Sequence, residues 1–167
     1  DETVSEGRFN LKKQDYGAFI EDQIVPWDGL TISAGYRYDR AEFSFDSGPR
    51  SSTSLDENVY TVGLTYRINP HFETYVSLSR GFRYPVLDEL FNFFTNEIDP
   101  TLLPQWSRDY EAGVRSRYND RIGLDVNFFY IETHDEIFFD PANFVNTNLD
   151  GTTRRGGFEV YVYGGVG

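Results

Sequence analysis

Two arginines, Arg80 and Arg83, stand among aromatic residues near the middle of the chain. The stretch SRGFRYPVLDELF at residues 79–91 also holds Asp88 and Glu89, only a few positions further on. A guanidinium group binds carboxylates and other oxyanions through paired hydrogen bonds. The two arginines therefore indicate one of two roles, which are contact with an anionic ligand and ion pairing with the neighbouring acids.

The segment around these arginines is rich in aromatic rings. A connection of about 27 residues, 81–107, is far longer than the usual 4–6, and such length is normally functional or disordered. Its large apolar content predicts packing on neighbouring loops, on a rim or on a ligand. The predicted ligand-contacting set consists of the two arginines and the rings of this segment, namely Arg80, Arg83, Tyr84, Phe91, Phe93, Phe94 and Trp106.

Other site chemistries have weaker support. Residues 140–151, DPANFVNTNLDG, offer the oxygen ligands that Ca²⁺ prefers, but their spacing departs from the EF-hand pattern and turn formation explains the same residues. His71 and His134 are isolated, and no Cys supports a zinc site. The best nucleophile–base combination, Ser77 or Ser79 with His134, has no distinctive spacing. We expect no metal, no cofactor and no enzymatic activity.

Composition narrows the class of protein. The chain has 167 residues, enough for one domain, and a formal charge of −12 that argues against nucleic acid as a partner. An aromatic content of 17% is too high for a disordered acidic chain. Without Cys there is no disulfide framework, and no apolar run has the length of a transmembrane helix. Because residue 1 is not Met, we expect a processed or excised chain.

The clearest pattern in the chain has a period of two residues. Apolar and polar side chains alternate in seven segments, which is typical of strands with two different faces. The most regular segments are LTISAGYRYD, YTVGLTYR, FETYVSLS, YEAGVRSRY, IGLDVNFFY and GFEVYVY. A weaker first strand lies near residues 16–24. We predict seven strands and no helix.

The connections between these segments fall into two classes that alternate along the chain. The short ones lie at 25–29, 67–71 and 118–121, and the long ones at roughly 45–58, 81–107 and 140–153. Consecutive connections of an antiparallel meander lie at opposite ends of the sheet. All short turns are therefore expected at one end and all long loops at the other, as in outer-membrane barrels.

Aromatic residues mark both ends of the apolar rows. Tyr110 and Tyr118 share a predicted face, and eight residues at ~3.3 Å each separate them by about 26 Å. At a tilt of about 40° they span about 20 Å of membrane, near the ~25 Å apolar band that aromatic girdles enclose. We predict an all-β fold, an antiparallel up-and-down transmembrane β-barrel. Its lipid-facing residues should include Val62, Leu64, Val114 and Val126, and its lumen-facing residues Thr61, Gly63, Arg115 and Asn127.

Two interpretations from another class stay open at this point. A small adhesive outer-membrane barrel would have the same pattern without transport. A soluble carbohydrate-binding sandwich would turn the apolar rows into a core and the polar rows to solvent. Solubility without detergent separates the sandwich from either barrel.

Three motifs in order resemble a known family. SRGFRYP at residues 79–85, followed by ELF, is similar to a segment in the barrel domain of TonB-dependent outer-membrane receptors. LPQWS at 103–107, followed by YEAG, resembles the next, with Gln105 where the family usually has Glu. NLDGTTRRGGFE at 148–159 resembles a third. The resemblance covers nearly the whole chain.

The resemblance implies a barrel of about 22 strands with a plug domain in its lumen. Residues 1–167 would then form a partial barrel domain of about 7–8 strands, without the plug. It further implies the outer membrane of a Gram-negative bacterium, contact with outer-membrane lipid, and energy-coupled uptake of a scarce ligand. An iron–siderophore complex is the first expectation, with haem or cobalamin as alternatives. Coupling to the inner-membrane TonB complex would run through the missing plug.

Overall fold

The structure is a computed structural model that describes residues 10–46, 51–92, 94–95, 97–119 and 122–165. Its main feature is one sheet of seven strands, and every pair of neighbours in it is antiparallel. In sheet order the strands are β1 (Leu11–Trp27), β2 (Leu30–Phe45), β3 (Ser52–Asn69), β4 (Phe72–Arg83), β7 (Gln105–Asn119), β8 (Ile122–His134) and β11 (Thr152–Gly164). The predicted seven-stranded meander is confirmed.

The two faces of the sheet differ as the alternation predicts. On the apolar face, Val114 pairs in register with Val126, and Val126 with Val160. On the polar face, Arg115 pairs in register with Glu73 on one side and Asp125 on the other. The two faces alternate because successive side chains of a strand point to opposite sides.

The three short turns lie at one end of the sheet. They leave only two residues between paired strands, as in the Asp28–Gly29 turn between Trp27 and Leu30. Gly29 has a φ of 86°, and a Cβ there would lie 2.8 Å from the carbonyl oxygen of Arg67. A side chain at this turn is therefore excluded both by conformation and by space.

Two of the predicted long connections are too long, whereas the third, predicted at 140–153, begins earlier and runs between His134 and Thr152. Residues 45–58 were expected to form a loop, but β2 continues to Phe45 and β3 begins at Ser52. The connection 81–107 shortens to 84–104, since β4 and β7 remain paired as far as Arg83 and Gln105. Gly81, the first residue of the predicted connection, pairs with Ser107 and belongs to the strand ladder. The strands extend past the aromatic residues because their backbone pairing needs no lipid.

Both remaining loops contain secondary structure of their own. The first holds a one-turn helix, α1 (Leu87–Leu90), and a hairpin of β5 (Phe91–Asn92) and β6 (Glu97–Ile98). The prediction that the chain has no helix is therefore wrong. The second loop, predicted at 140–153, lies between His134 and Thr152 and holds a hairpin of β9 (Ile137–Asp140) and β10 (Val145–Asn148). Among the described residues, no helix is long and apolar enough to cross a membrane.

The first loop folds back onto the sheet and forms the buried core of the molecule. Phe43 and Phe45 of β2 share the polar face with Asp39, since they lie at even spacing along the strand. Residues of the loop cover them, with Leu90 at 2% and Leu102 at 2% exposure. The ring centroids of Phe45 and Phe91 lie 4.5 Å apart. The loop is therefore anchored by apolar burial over the polar face.

Candidate functional site

The two arginines of the predicted set are both engaged by carboxylates. Arg83 Nη1 lies 2.7 Å from Glu89 Oε2, and the same oxygen accepts from the backbone N–H of Val86 at 2.9 Å. Arg80 Nη2 lies 2.7 Å from Glu57 Oε2, and both side chains are largely buried. The acid beside Arg83 was visible in the sequence, whereas Glu57 comes from another strand. Contact of either arginine with a ligand stays a prediction.

Tyr84 and Phe91, two of the predicted ligand-contacting rings, belong to the loop core. They are 9% and 4% exposed. Tyr84 packs edge-on against Phe82, and Lys13 Nζ lies 5.3 Å from the centre of its ring. Burial raises the pKa of the Tyr84 hydroxyl, and the carboxylate of Asp39 raises this pKa further. These two rings are therefore part of the buried core and stabilise the conformation of the loop.

Phe94 is the predicted ring that stands open to the surroundings, at 74% exposure. Its centroid lies 6.4 Å from that of Phe144, and Phe144 lies 6.3 Å from Phe139. Phe144 has a φ of 54°, an unusual value for a bulky residue. The three rings line a cavity of about 230 Å³ between the two loops, together with Asn146. Phe93 lies outside the described residues.

Trp106 lies at the start of β7, away from this cavity. Its ring stacks on His134 with centroids 4.1 Å apart and planes 9° from parallel. Its indole Nε1–H donates to Asp135 Oδ2 at 3.1 Å. The guanidinium carbons of Arg80 and Arg108 lie 4.7 and 5.2 Å from its centre. The described aromatic rings of the predicted set therefore divide among three places, which are the loop core, the open cavity and this end of β7.

Two asparagines of the segment considered for Ca²⁺, Asn146 and Asn148, join the two loops. The side chain of Asn148 accepts from the N–H of Leu103 at 2.8 Å and donates to its carbonyl at 3.0 Å. The same amide group also donates to the carbonyl of Asp135 at 2.8 Å. Asn146 Nδ2 donates to the carbonyl of Glu89 at 3.2 Å. No sequence signal marks these contacts, since the partners are up to 57 residues apart.

Two of the suggested calcium ligands, Asp140 and Asn143, serve the turn of the second hairpin. Asp140 accepts from Asn143 Nδ2 at 2.7 Å and from the N–H of Ala142 at 2.9 Å. Both hydrogen bonds lower the pKa of the Asp140 carboxyl, and the bond from Asn143 has the larger effect. His71 Nδ1 contacts the carbonyl oxygen of Arg117 at 2.8 Å. Within the described part of the chain, no group of three or more His, Asp or Glu is placed to hold a metal ion.

Comparison with known proteins agrees with this architecture. Residues 4–166 match the family described as TonB dependent receptor-like, beta-barrel. The chain is 24% identical over 148 residues to the TonB-dependent heme receptor A of Haemophilus ducreyi. The alignment covers 72% of this chain and 20% of that protein.

Solved structures show the same fold. The FrpB iron transporter from Neisseria meningitidis superposes with a TM-score of 0.75 at 20% identity, over 98% of this chain and 25% of that one. The copper transporter OprC gives a TM-score of 0.74 at 16% identity, over 95% and 27%. The chain thus spans about a quarter of the length of these transporters.

The sheet, the loops at one end and the match along the sequence define a segment of an outer-membrane receptor barrel. The chain belongs to the TonB-dependent receptors. Its place is the outer membrane of a Gram-negative bacterium. Members of this family are transporters and not enzymes, which confirms the expectation on activity. Membership also favours the receptor over the adhesive barrel and the soluble sandwich.

Proposed function

We propose that this chain forms part of the wall and the extracellular mouth of a receptor for energy-coupled uptake of an iron complex. The supporting observation is the pair of long loops, 84–104 and 135–151, which lie at one end of the sheet and are joined by Asn148. Loops held on a rigid scaffold are where ligand contacts tend to lie. Uptake itself involves a plug and the inner-membrane TonB complex, as the family resemblance implies.

The choice of an iron complex rests on the proteins to which this chain is similar. The relative from Haemophilus ducreyi is a heme receptor and FrpB is an iron transporter, whereas OprC carries copper. We therefore put an iron–siderophore complex or haem first. Phe94, Phe139 and Phe144 offer aromatic surface to the organic part of such a ligand. Arg83 would bind an anionic complex only if its ion pair with Glu89 broke.

Binding to the complete receptor that contains this chain tests the proposal. Hemin, a ferric catecholate and a ferric hydroxamate serve as probes, and affinity is read from quenching of tryptophan fluorescence. Replacing Phe94 with Ala should weaken the best-bound probe about three- to tenfold, because an aromatic contact contributes about 0.5–1.5 kcal/mol. Arg83→Ala and Phe93→Ala should weaken it as well.

Val86→Ala is the matched control, because Val86 lies in the same loop at 50% exposure and does not line the cavity. It should bind the probe as the wild type does. Unchanged affinity in Arg83→Ala, Phe93→Ala and Phe94→Ala, with normal barrel folding, would remove this loop from the binding site. Failure of all three probes to bind the wild type would refute an iron complex as the ligand.

A further inference from the structure

A group of cationic and aromatic side chains lies on the apolar face of the sheet, just beyond its tyrosines. Along β7, Trp106, Arg108 and Tyr110 lie on this face at every second residue, in line with Val114. Along β4, Arg80 lies on the same face and pairs in register with Arg108. We name Arg80, Trp106 and Arg108 the outer arginine cluster.

The two guanidinium groups of the outer arginine cluster repel each other. Arg80 and Arg108 stand directly opposite on neighbouring antiparallel strands, an arrangement that destabilises a sheet when the charges are alike. Both guanidinium groups also lie within 5.2 Å of the centre of the Trp106 ring, at the distance of a cation–π contact. The cluster thus concentrates positive charge on an otherwise acidic chain of net charge −12.

Carboxylates balance only part of this charge. Arg80 pairs with Glu57 at 2.7 Å. Arg108 is exposed, and among the described residues it has no carboxylate within 4.0 Å. Its register neighbour on the other side, Glu132, is already engaged by Arg154 at 3.2 Å. The positive charge of Arg108 is therefore available to an anion from outside the described chain.

The position of the outer arginine cluster along the strands indicates which kind of anion Arg108 can bind. Tyr110 and Tyr130 pair in register with ring centroids 6.2 Å apart, and they form the aromatic band at the long-loop end. Such bands lie at the level of the lipid headgroups. Arg108 is two residues further out, about 7 Å along the strand. The apolar face of an outer-membrane barrel meets lipid, so a headgroup reaches Arg108 whereas a ligand in the lumen does not.

We propose that the outer arginine cluster binds the phosphate group of a membrane lipid in the outward-facing leaflet. Arg108 donates to the phosphate oxygens as a fork, a geometry that guanidinium and phosphate share. Arg80, itself paired with Glu57, lies opposite Arg108 on the neighbouring strand, and Trp106 contacts both guanidinium groups. The proposal depends on the place of the chain in an outer membrane and not on which ligand the receptor imports.

Lipid retention by the complete receptor that contains this chain tests the proposal. The detergent-purified receptor is titrated with dioctanoyl phosphatidic acid, dioctanoyl phosphatidylcholine and inorganic phosphate, and bound molecules are counted by native mass spectrometry. The wild type should retain phosphatidic acid over phosphatidylcholine. Arg108→Ala should weaken the tightest-bound phosphatidic acid by at least about tenfold, the worth of a charged hydrogen bond. Arg108→Lys should keep part of this affinity.

The control is Arg117→Ala, which removes an exposed arginine from the opposite face and opposite end of the same strand. It should leave the tightest-bound phosphatidic acid unchanged. A second readout is the urea midpoint of unfolding, which phosphatidic acid should raise in the wild type and not in Arg108→Ala. Equal retention by wild type and Arg108→Ala would overturn the proposal. So would displacement of the lipid by an equal concentration of inorganic phosphate, which would indicate a site for the free ion.

Discussion

The ring of Tyr75 fills the space in front of Gly113 on the neighbouring strand. The two residues pair in register on the polar face, and a Cβ added to Gly113 would meet the Tyr75 ring at 2.5 Å. The ring is fixed from two sides, because its hydroxyl donates to Asn127 Oδ1 at 3.0 Å and Arg115 lies over it at 4.4 Å. Gly113 thus lets an aromatic ring lie against the wall that is predicted to line the lumen.

Replacing Gly113 with Ala should therefore destabilise the barrel by about 1–3 kcal/mol, the usual cost of overpacking. The measurement is the free energy of unfolding by urea of the complete receptor in detergent. Gly81→Ala is the control on the paired strand, since the nearest atom to its new Cβ is Ser107 Oγ at 3.8 Å. Equal losses in the two variants would show that the Tyr75 ring moves aside freely.

Arginine should be costly at the positions predicted to face lipid, which include Leu64, Val114 and Val126. Leu64→Arg should lower the free energy of unfolding in lipid by about 2–4 kcal/mol if the site is near the midplane. Thr65→Arg, on the polar face of the same strand, should cost less. The fraction folded is read from the shift of unheated samples on gels. Equal tolerance of both changes would contradict the assignment of the two faces.

Loss of the Asn148 side chain should separate the two loops. Asn148→Ala removes three hydrogen bonds to the backbone of Leu103 and Asp135, and each contributes about 0.5–1.5 kcal/mol to stability. Hydrogen exchange should accelerate at Leu103 and in the β9–β10 hairpin. Asn143→Ala removes a side chain that bonds to Asp140 within its own turn, and it should leave exchange at Leu103 unchanged. No change at Leu103 in Asn148→Ala would mean that core packing alone holds the loops.

The base of the second loop should weaken in acid. A hydrogen bond from Thr153 and the ion pair with Arg155 at 2.8 Å lower the pKa of Glu136 below its ordinary value of 4.5. A carboxyl group whose pKa is lowered by folding stabilises the fold above the ordinary pKa, and this contribution disappears as the pH falls through the folded value.

The test compares the wild type with Glu136→Gln from pH 7 to pH 3 by urea unfolding. The wild type should be the more stable at pH 7, and the difference should narrow below pH 4.5. A difference that stays constant over this range would show that the carboxylate charge contributes nothing.

The strands were predictable wherever the chain meets two different surroundings. LTISAGYRYD and IGLDVNFFY alternate because lipid on one side and a polar lumen on the other select different side chains. Beyond the aromatic band, lipid no longer selects apolar side chains on one face, and the first loop buries Phe43 and Phe45 on the other face, while backbone pairing continues. The polar start of β3 at Ser52 therefore has the sequence pattern of a loop.

The site was less predictable than the sheet. Pairing of Arg83 with Glu89 follows from six residues of separation, so the sequence offered it as one of two roles. Pairing of Arg80 with Glu57 depends on how β3 and β4 are aligned, which short motifs do not determine. The joining of the loops through Asn148 links residues 45 apart, and no local pattern encodes such a contact.

The most direct test of the account is the environment of two adjacent residues, Val62 and Thr61, in the complete receptor. The chain contains no Cys, so a single Cys at either position carries a spin label without a background from this segment. In lipid bilayers, relaxation by oxygen reports contact with lipid and relaxation by a water-soluble nickel complex reports contact with water. The label at Val62 should be relaxed mainly by oxygen, and the label at Thr61 should not. The same strong oxygen relaxation at both positions, or stronger relaxation by nickel at Val62, would contradict a barrel wall with its apolar face in lipid.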